Sequence, residues 1–149
     1  MDDEAALRLS EAFLDATFGE GAGRKHSEYL RYIQNDALRQ TLHRYHALEA
    51  DTARLSLEEN YLIGMCVLCV TKSWGPACMF AKTLRHLGVG REKILEAVAR
   101  LTMWIGGIPA AEATAHVQKA LREFDEKGMS SMGDWFPDGA RRTSGGRGA

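Results

Sequence analysis

Three sets of side chains in this 149-residue sequence have the types and spacing that chemistry requires. Cys66-Val-Leu-Cys69 has the spacing of a dithiol redox pair. Such a pair works through a thiolate, which forms at a helix N-terminus or beside a cation and needs solvent access. Cys66 and Cys69 instead fall in the middle of an apolar run, where cysteine behaves as a small hydrophobe, so they read as core. His43-Arg-Tyr-His46, with Glu49 one turn on, offers donors at i, i+3 and i+6, a spacing open to zinc or iron. Gln40 and Arg44 among them point to a solvated or interface face, and no metal is expected. The third set is basic: Lys72, Arg85, His86, Arg91 and Arg100. Lys72 and Arg100 would neutralise a carboxylate or enolate if turned inward. His116, on a polar stretch, reads as surface or interface.

The elements that must position these groups are helices. Pro is rare, β-branched runs are short, and apolar residues recur at helical spacing, which predicts an all-α domain of about six helices. A first amphipathic helix is expected over 4–17, with Leu7, Phe13, Leu14 and Phe18 as its stripe and Ser10 tolerated within it. Gly19-Glu-Gly-Ala-Gly23 breaks it. A second helical region runs from Ser27, read as an N-cap, to about Glu49, with Asn35-Asp36 a candidate break. Ser56, with Glu59 three residues on, is a capping-box pattern that starts a third helix over 57–72. Leu62, Ile63, Met65, Val67, Leu68 and Val70 make that helix apolar round most of its circumference, the mark of burial in a core or between subunits. Pro76 suits the first turn of a fourth helix, which Gly88 ends. A fifth is expected over 91–105, and Pro109 opens a sixth running to about Lys127. Past Gly128 the pattern stops. The organisation expected is one helical domain over 1–128 and a partly disordered tail over 129–149, in which Trp135-Phe136 docks on its own domain or a neighbour.

Leu55 to Ala120 resembles the alkylhydroperoxidase/carboxymuconolactone decarboxylase family. Cys78 to Glu96 is similar to that family's run of helix, glycine, short acidic start and helix. Trp104-Ile-Gly-Gly-Ile-Pro-Ala-Ala111 is similar to its aromatic-Gly-Pro-Ala-Ala turn, with one extra residue. The resemblance implies a carboxymuconolactone decarboxylase-like helical fold, with 55–120 as the family-like core. It also implies homo-oligomers, trimers or hexamers, with pockets near subunit contacts. Aligned on Gly88, the peroxidase branch's His falls at Phe80, its two Cys at Ser73 and Pro76, and its relay Glu at Tyr61. A dithiol peroxidase cycle needs two adjacent thiols and a proton relay, so hydroperoxide reductase activity is not expected. The decarboxylase branch resembles a His-dependent enzyme at the same place, and Phe80 removes that residue too.

By this resemblance the family's pocket is rebuilt as an aromatic and apolar wall. Tyr61 and Ser73 become the candidate catalytic residues, donating or relaying a proton. Trp74, Pro76, Phe80, Trp104 and Arg100 become the candidate substrate-binding residues. The function expected is a cofactor-independent enzyme of decarboxylase, isomerase or cyclase type acting on a hydrophobic, carbonyl-bearing small molecule. Two alternatives stand beside it: a non-catalytic ligand-binding or oligomeric scaffold, and a thiol redox protein working through Cys66 and Cys69. The scaffold reading gains weight if the same aromatic residues simply fill the pocket as core.

Composition sets the outer bounds. Hydrophobic residues at 45% and charged residues at 26% are ordinary for a soluble globular chain. A net charge of -1 gives no steering toward nucleic acid or an anionic membrane. No apolar run approaches the roughly 18 residues of a spanning helix, and the acidic start Met1-Asp2-Asp3-Glu4 is unlike a signal peptide. Three cysteines, an odd number without an export signal, predict reduced thiols and a cytoplasmic protein. The expected partners are a small hydrophobic ligand and further copies of the chain, with no nucleic acid, membrane or cofactor.

Overall fold

The computed structural model describes residues 2–50 and 54–132, and these are all-α, with no strand among them. They form two compact units, one over 2–50 and one over 54–132, each with a core of its own. Both lie almost entirely within the 128-residue span expected as one domain. Seven helices of nine residues or more and one single-turn helix make up the two units.

The first unit holds α1 (Asp3–Phe18), α2 (Ala22–Leu30) and α3 (Asp36–Glu49). Asp2 caps α1 by accepting from the Ala5 N–H at 2.7 Å. Gly19 (φ 98°) ends α1 and Gly21 (φ 83°) precedes α2, a backbone path that favours glycine at both points. Helix α2 therefore begins at Ala22, and Ser27 is not an N-cap. Its hydroxyl donates instead to Glu11 on α1 at 2.7 Å. The break at Asn35-Asp36 is real, because Asn35 caps a separate helix by accepting from the Leu38 N–H at 3.0 Å. Helix α1 packs against both α2 and α3. A Cβ at Gly23 would overlap the backbone of Glu11, so α2 crosses α1 at a distance only glycine permits. Phe13, Leu14, Leu30, Ala6, Ala22 and Ala47 form the core, with Ser10 and Thr17 fully buried among them. The Thr17 hydroxyl is satisfied by donating to the Phe13 carbonyl at 2.7 Å.

The second unit holds α4 (Leu57–Val70), α5 (Trp74–His86), α6 (Arg91–Arg100), the single turn α7 (Thr102–Ile105), α8 (Gly107–Lys127) and a 3₁₀ helix over Gly128–Met132. The capping box at the start of α4 is complete: Glu59 N–H donates to Ser56 Oγ at 3.1 Å, and Ser56 N–H to Glu59 Oε2 at 2.8 Å. Helices α4 and α5 both end in a Schellman motif. At α5 the left-handed residue is Gly88 (φ 90°), and Val89 N–H closes back onto the Leu84 carbonyl at 2.9 Å. At α4 that position holds Lys72 (φ 56°), and Ser73 N–H reaches the Leu68 carbonyl at 2.8 Å. The helix expected over 91–105 is two, α6 and α7, with Leu101 between them. Helix α8 starts two residues before Pro109, behind Gly106 (φ 87°).

Helix α4 packs on α5, and α5 and α6 both pack on α8. Met65, Leu84, Ile94, Val98, Val117 and Leu121 are wholly buried at these contacts. Lys82, also buried, donates from Nζ to Glu123 at 2.7 Å and to the Ser131 carbonyl at 2.9 Å, tying the 3₁₀ helix to α5 and α8. That contact holds the Glu123 carboxyl below the usual carboxylate range. Helical order thus continues to a buried Met132, four residues past Gly128. The Trp135-Phe136 pair lies outside the described residues. Among those residues no helix is long and apolar enough to cross a membrane.

Candidate functional site

The residues that sequence reasoning nominated fall in three places of the 54–132 unit. Tyr61 on α4 and Phe80 on α5 come together, their ring centroids 4.6 Å apart and tilted by 44°. Tyr61 is buried and Phe80 half-buried. Beneath them lies Gly64, where a Cβ would stand 2.8 Å from the Phe80 ring edge. Phe80 is therefore a knob seated on the bare backbone of α4 beside the Tyr61 ring. That contact is worth burial energy whether or not a ligand reaches it. Gly64 escaped the sequence reading, although an isolated glycine in an apolar helix is itself a sign of close packing.

The second place is the α4–α5 turn facing α8. Ser73 precedes α5, but its hydroxyl lies 3.2 Å from Thr71 Oγ1 instead of capping the helix. Trp74 stacks on His116 of α8, with centroids at 4.3 Å and planes within 10°. Cys78 Sγ donates to the His116 carbonyl at 3.6 Å from the next turn of α5. Lys72 and Glu112 form an ion pair at 3.4 Å across the same seam. Pro76 sits half-buried in the first turn of α5. His116, read from sequence as surface or interface, is half-buried as an aromatic partner of Trp74.

Trp104 and Arg100 occupy the third place. Arg100 is exposed and bound at 2.7 Å to Glu96 of its own helix, so its charge is already matched. Trp104 is 83% exposed. It projects with Met103 (83%) and Ile108 (87%) from either side of the Gly106-Gly107 turn. Helix α4 presents a second apolar strip to solvent, Ile63, Val67 and Val70, while Tyr61, Met65 and Cys69 face inward. The periodicity of α4 could not choose between these faces because both are apolar.

The three cysteines are free thiols. Burial pushes the Cys69 thiol up to about 12, with help from its neighbours Cys66 and Cys78. Burial raises Cys66 as well, so the Cys-x-x-Cys holds two protonated thiols. In the first unit, His43 and His46 lie on α3 beside Ser10 of α1. Glu49 is raised by burial and hydrogen-bonded by Tyr45. Among the described residues no group of three or more His, Cys, Asp and Glu is placed to hold a metal ion. Comparison with protein-family models, with curated proteins and with solved structures returned no match.

Proposed function

We propose that this chain is a carboxymuconolactone decarboxylase-like protein without the family's thiol and imidazole chemistry. In this reading it is a self-associating, cytoplasmic scaffold that binds a small hydrophobic ligand. The observation that carries the proposal is the solvated trio Met103, Trp104 and Ile108 around one glycine turn. Single exposed apolar residues are ordinary, but three large ones within six positions mark a surface that works by being covered. Burying side chains of this size stabilises an interface by about 1.5–3 kcal/mol each. The occupant proposed is a second copy, offering its Ile63, Val67 and Val70 strip to the trio. A contact between two different patches is heterologous, and where its rotation closes it makes a ring; the proposed ring is a trimer or, by pairing, a hexamer. Light scattering at micromolar concentration tests this. The wild type should be a discrete oligomer and Trp104→Glu a smaller species, whereas a monodisperse wild-type monomer overturns the proposal.

A second reading is the cofactor-independent decarboxylase, isomerase or cyclase. It draws support from the α4–α5 turn, where a hydroxyl (Ser73) adjoins an indole (Trp74) stacked on an imidazole (His116). Native mass spectrometry would identify any co-purified carbonyl compound, and turnover of that compound would be compared in Tyr61→Phe, Ser73→Ala and His116→Gln. Unchanged turnover in all three removes this reading. Thiol redox through Cys66 and Cys69 ranks last, since buried, protonated thiols are poor nucleophiles.

A further inference from the structure

The 2–50 unit contains a cluster that neither functional reading uses. Three imidazoles converge there from two helices onto a third. Ser10 of α1, with no exposed surface, has its Oγ 3.4 Å from His46 Nδ1 and 3.5 Å from His43 Nδ1. His26 of α2 meets the His46 ring edge-on, with centroids at 4.7 Å. Phe13 of α1 and Tyr45 of α3 close round His46 at 6.4 Å and 5.5 Å. One hydroxyl thus stands between two ring nitrogens, and a third ring leans on one of those rings.

We propose that His26, His43 and His46 form an acid-sensitive lock on helices α1 to α3, closed while the three rings are neutral and released when they take up protons. The hydrogen-bond arithmetic favours the neutral state. With neutral rings, Ser10 donates its one proton to one Nδ1 and accepts from the N–H of the other in the opposite tautomer. With two imidazolium rings both Nδ1 atoms become donors toward the same oxygen, and the Ser10 proton loses both of these acceptors. Two or three positive charges would then crowd into one seam.

The surrounding charges do not cancel this. From α1, Glu11 favours the charged form of His43, but its carboxylate already accepts from Ser27 of α2. From α3, Arg39 opposes His43, and Glu49 is itself raised by burial and engaged with Tyr45. Burial, with the His46 and His43 charges behind it, lowers His26 from 6.5 to about 4. Burial likewise lowers His43 and His46. The sign follows. An unfolded segment binds these protons first as pH falls. The stability conferred by the neutral cluster is therefore complete above about pH 6.5 and is lost between there and about pH 4.

Amide hydrogen exchange of the full chain, corrected for the intrinsic rate, tests the lock between about pH 7.5 and pH 4.5. Opening of 3–49 should rise about tenfold per pH unit for each proton taken up, while 57–127 stays flat. The double variant His26→Gln/His46→Gln should flatten the dependence in 3–49. If that variant does not fold, the wild-type imidazole resonances decide: all three should titrate below the ordinary histidine value. Rings titrating at or above that value, equal loss of protection in both units, or a folded double variant with the wild-type slope overturns the proposal.

Discussion

At the centre of residues 57–132 lie Met65, Leu84, Ile94, Val98, Val117 and Leu121; at the centre of residues 3–49 Phe13, Leu14 and Leu30 share the core with the buried hydroxyls of Ser10 and Thr17, and half-buried imidazoles close over Ser10. Both units are helical bundles of amphipathic sequence, yet their cohesion differs in kind. Residues 57–132 cohere chiefly through apolar burial, which has no preferred direction and tolerates small shifts. Residues 3–49 add to their apolar core a glycine-width crossing and hydrogen bonds with fixed geometry, which weaken together when one is lost. A shared fold class therefore says little about what holds each part together or what would undo it.

Three substitutions sharpen or break this contrast, in falling order of effect. Leu121→Ala empties a site in contact with no water and should cost about 2–5 kcal/mol, confined to 57–132. Denaturant melting read by residue-resolved hydrogen exchange checks it, and equal loss of protection in 3–49 would erase the distinction. Gly23→Ala forces a methyl into the Glu11 backbone and should cost about 1–3 kcal/mol, felt only in 3–49. A silent Gly23→Ala would show that α2 stands farther from α1 than the crossing described. Lys72→Gly should stabilise 57–132 by up to about 1 kcal/mol, read as a higher denaturation midpoint, since glycine adopts the left-handed turn without the penalty that lysine bears. The Lys72–Glu112 pair it removes is exposed and worth little. An unchanged or lower midpoint would mean that the ion pair outweighs the strained turn.

Local signals were legible in the sequence and tertiary ones were not. The Ser56–Glu59 capping box and Gly88 could be read because each is satisfied by backbone within a few residues. Ser27 misled because its hydroxyl answers to Glu11, sixteen residues away on another helix. The division of 91–105 at Leu101 has no breaker residue to announce it. Among the nominated site residues, Tyr61 and Phe80 are brought into ring contact, while nothing in the sequence marks Trp104 as solvated. The convergence of His26 with His43 and His46 depends on how α1 crosses α2 and α3, which no periodicity encodes.

The unequal surroundings of Trp74 and Trp104 also give the protein two optical signatures. The emission intensity of Trp74 depends on the ring stacked against it, so its brightness reports on the α5–α8 seam, where that ring is His116. Trp104, bathed in solvent, emits at long wavelength and shifts to the blue when anything dehydrates it. With Trp135 replaced by Phe, one fluorescence spectrum separates an event at the seam, seen as brightness, from an event at the exposed turn, seen as colour.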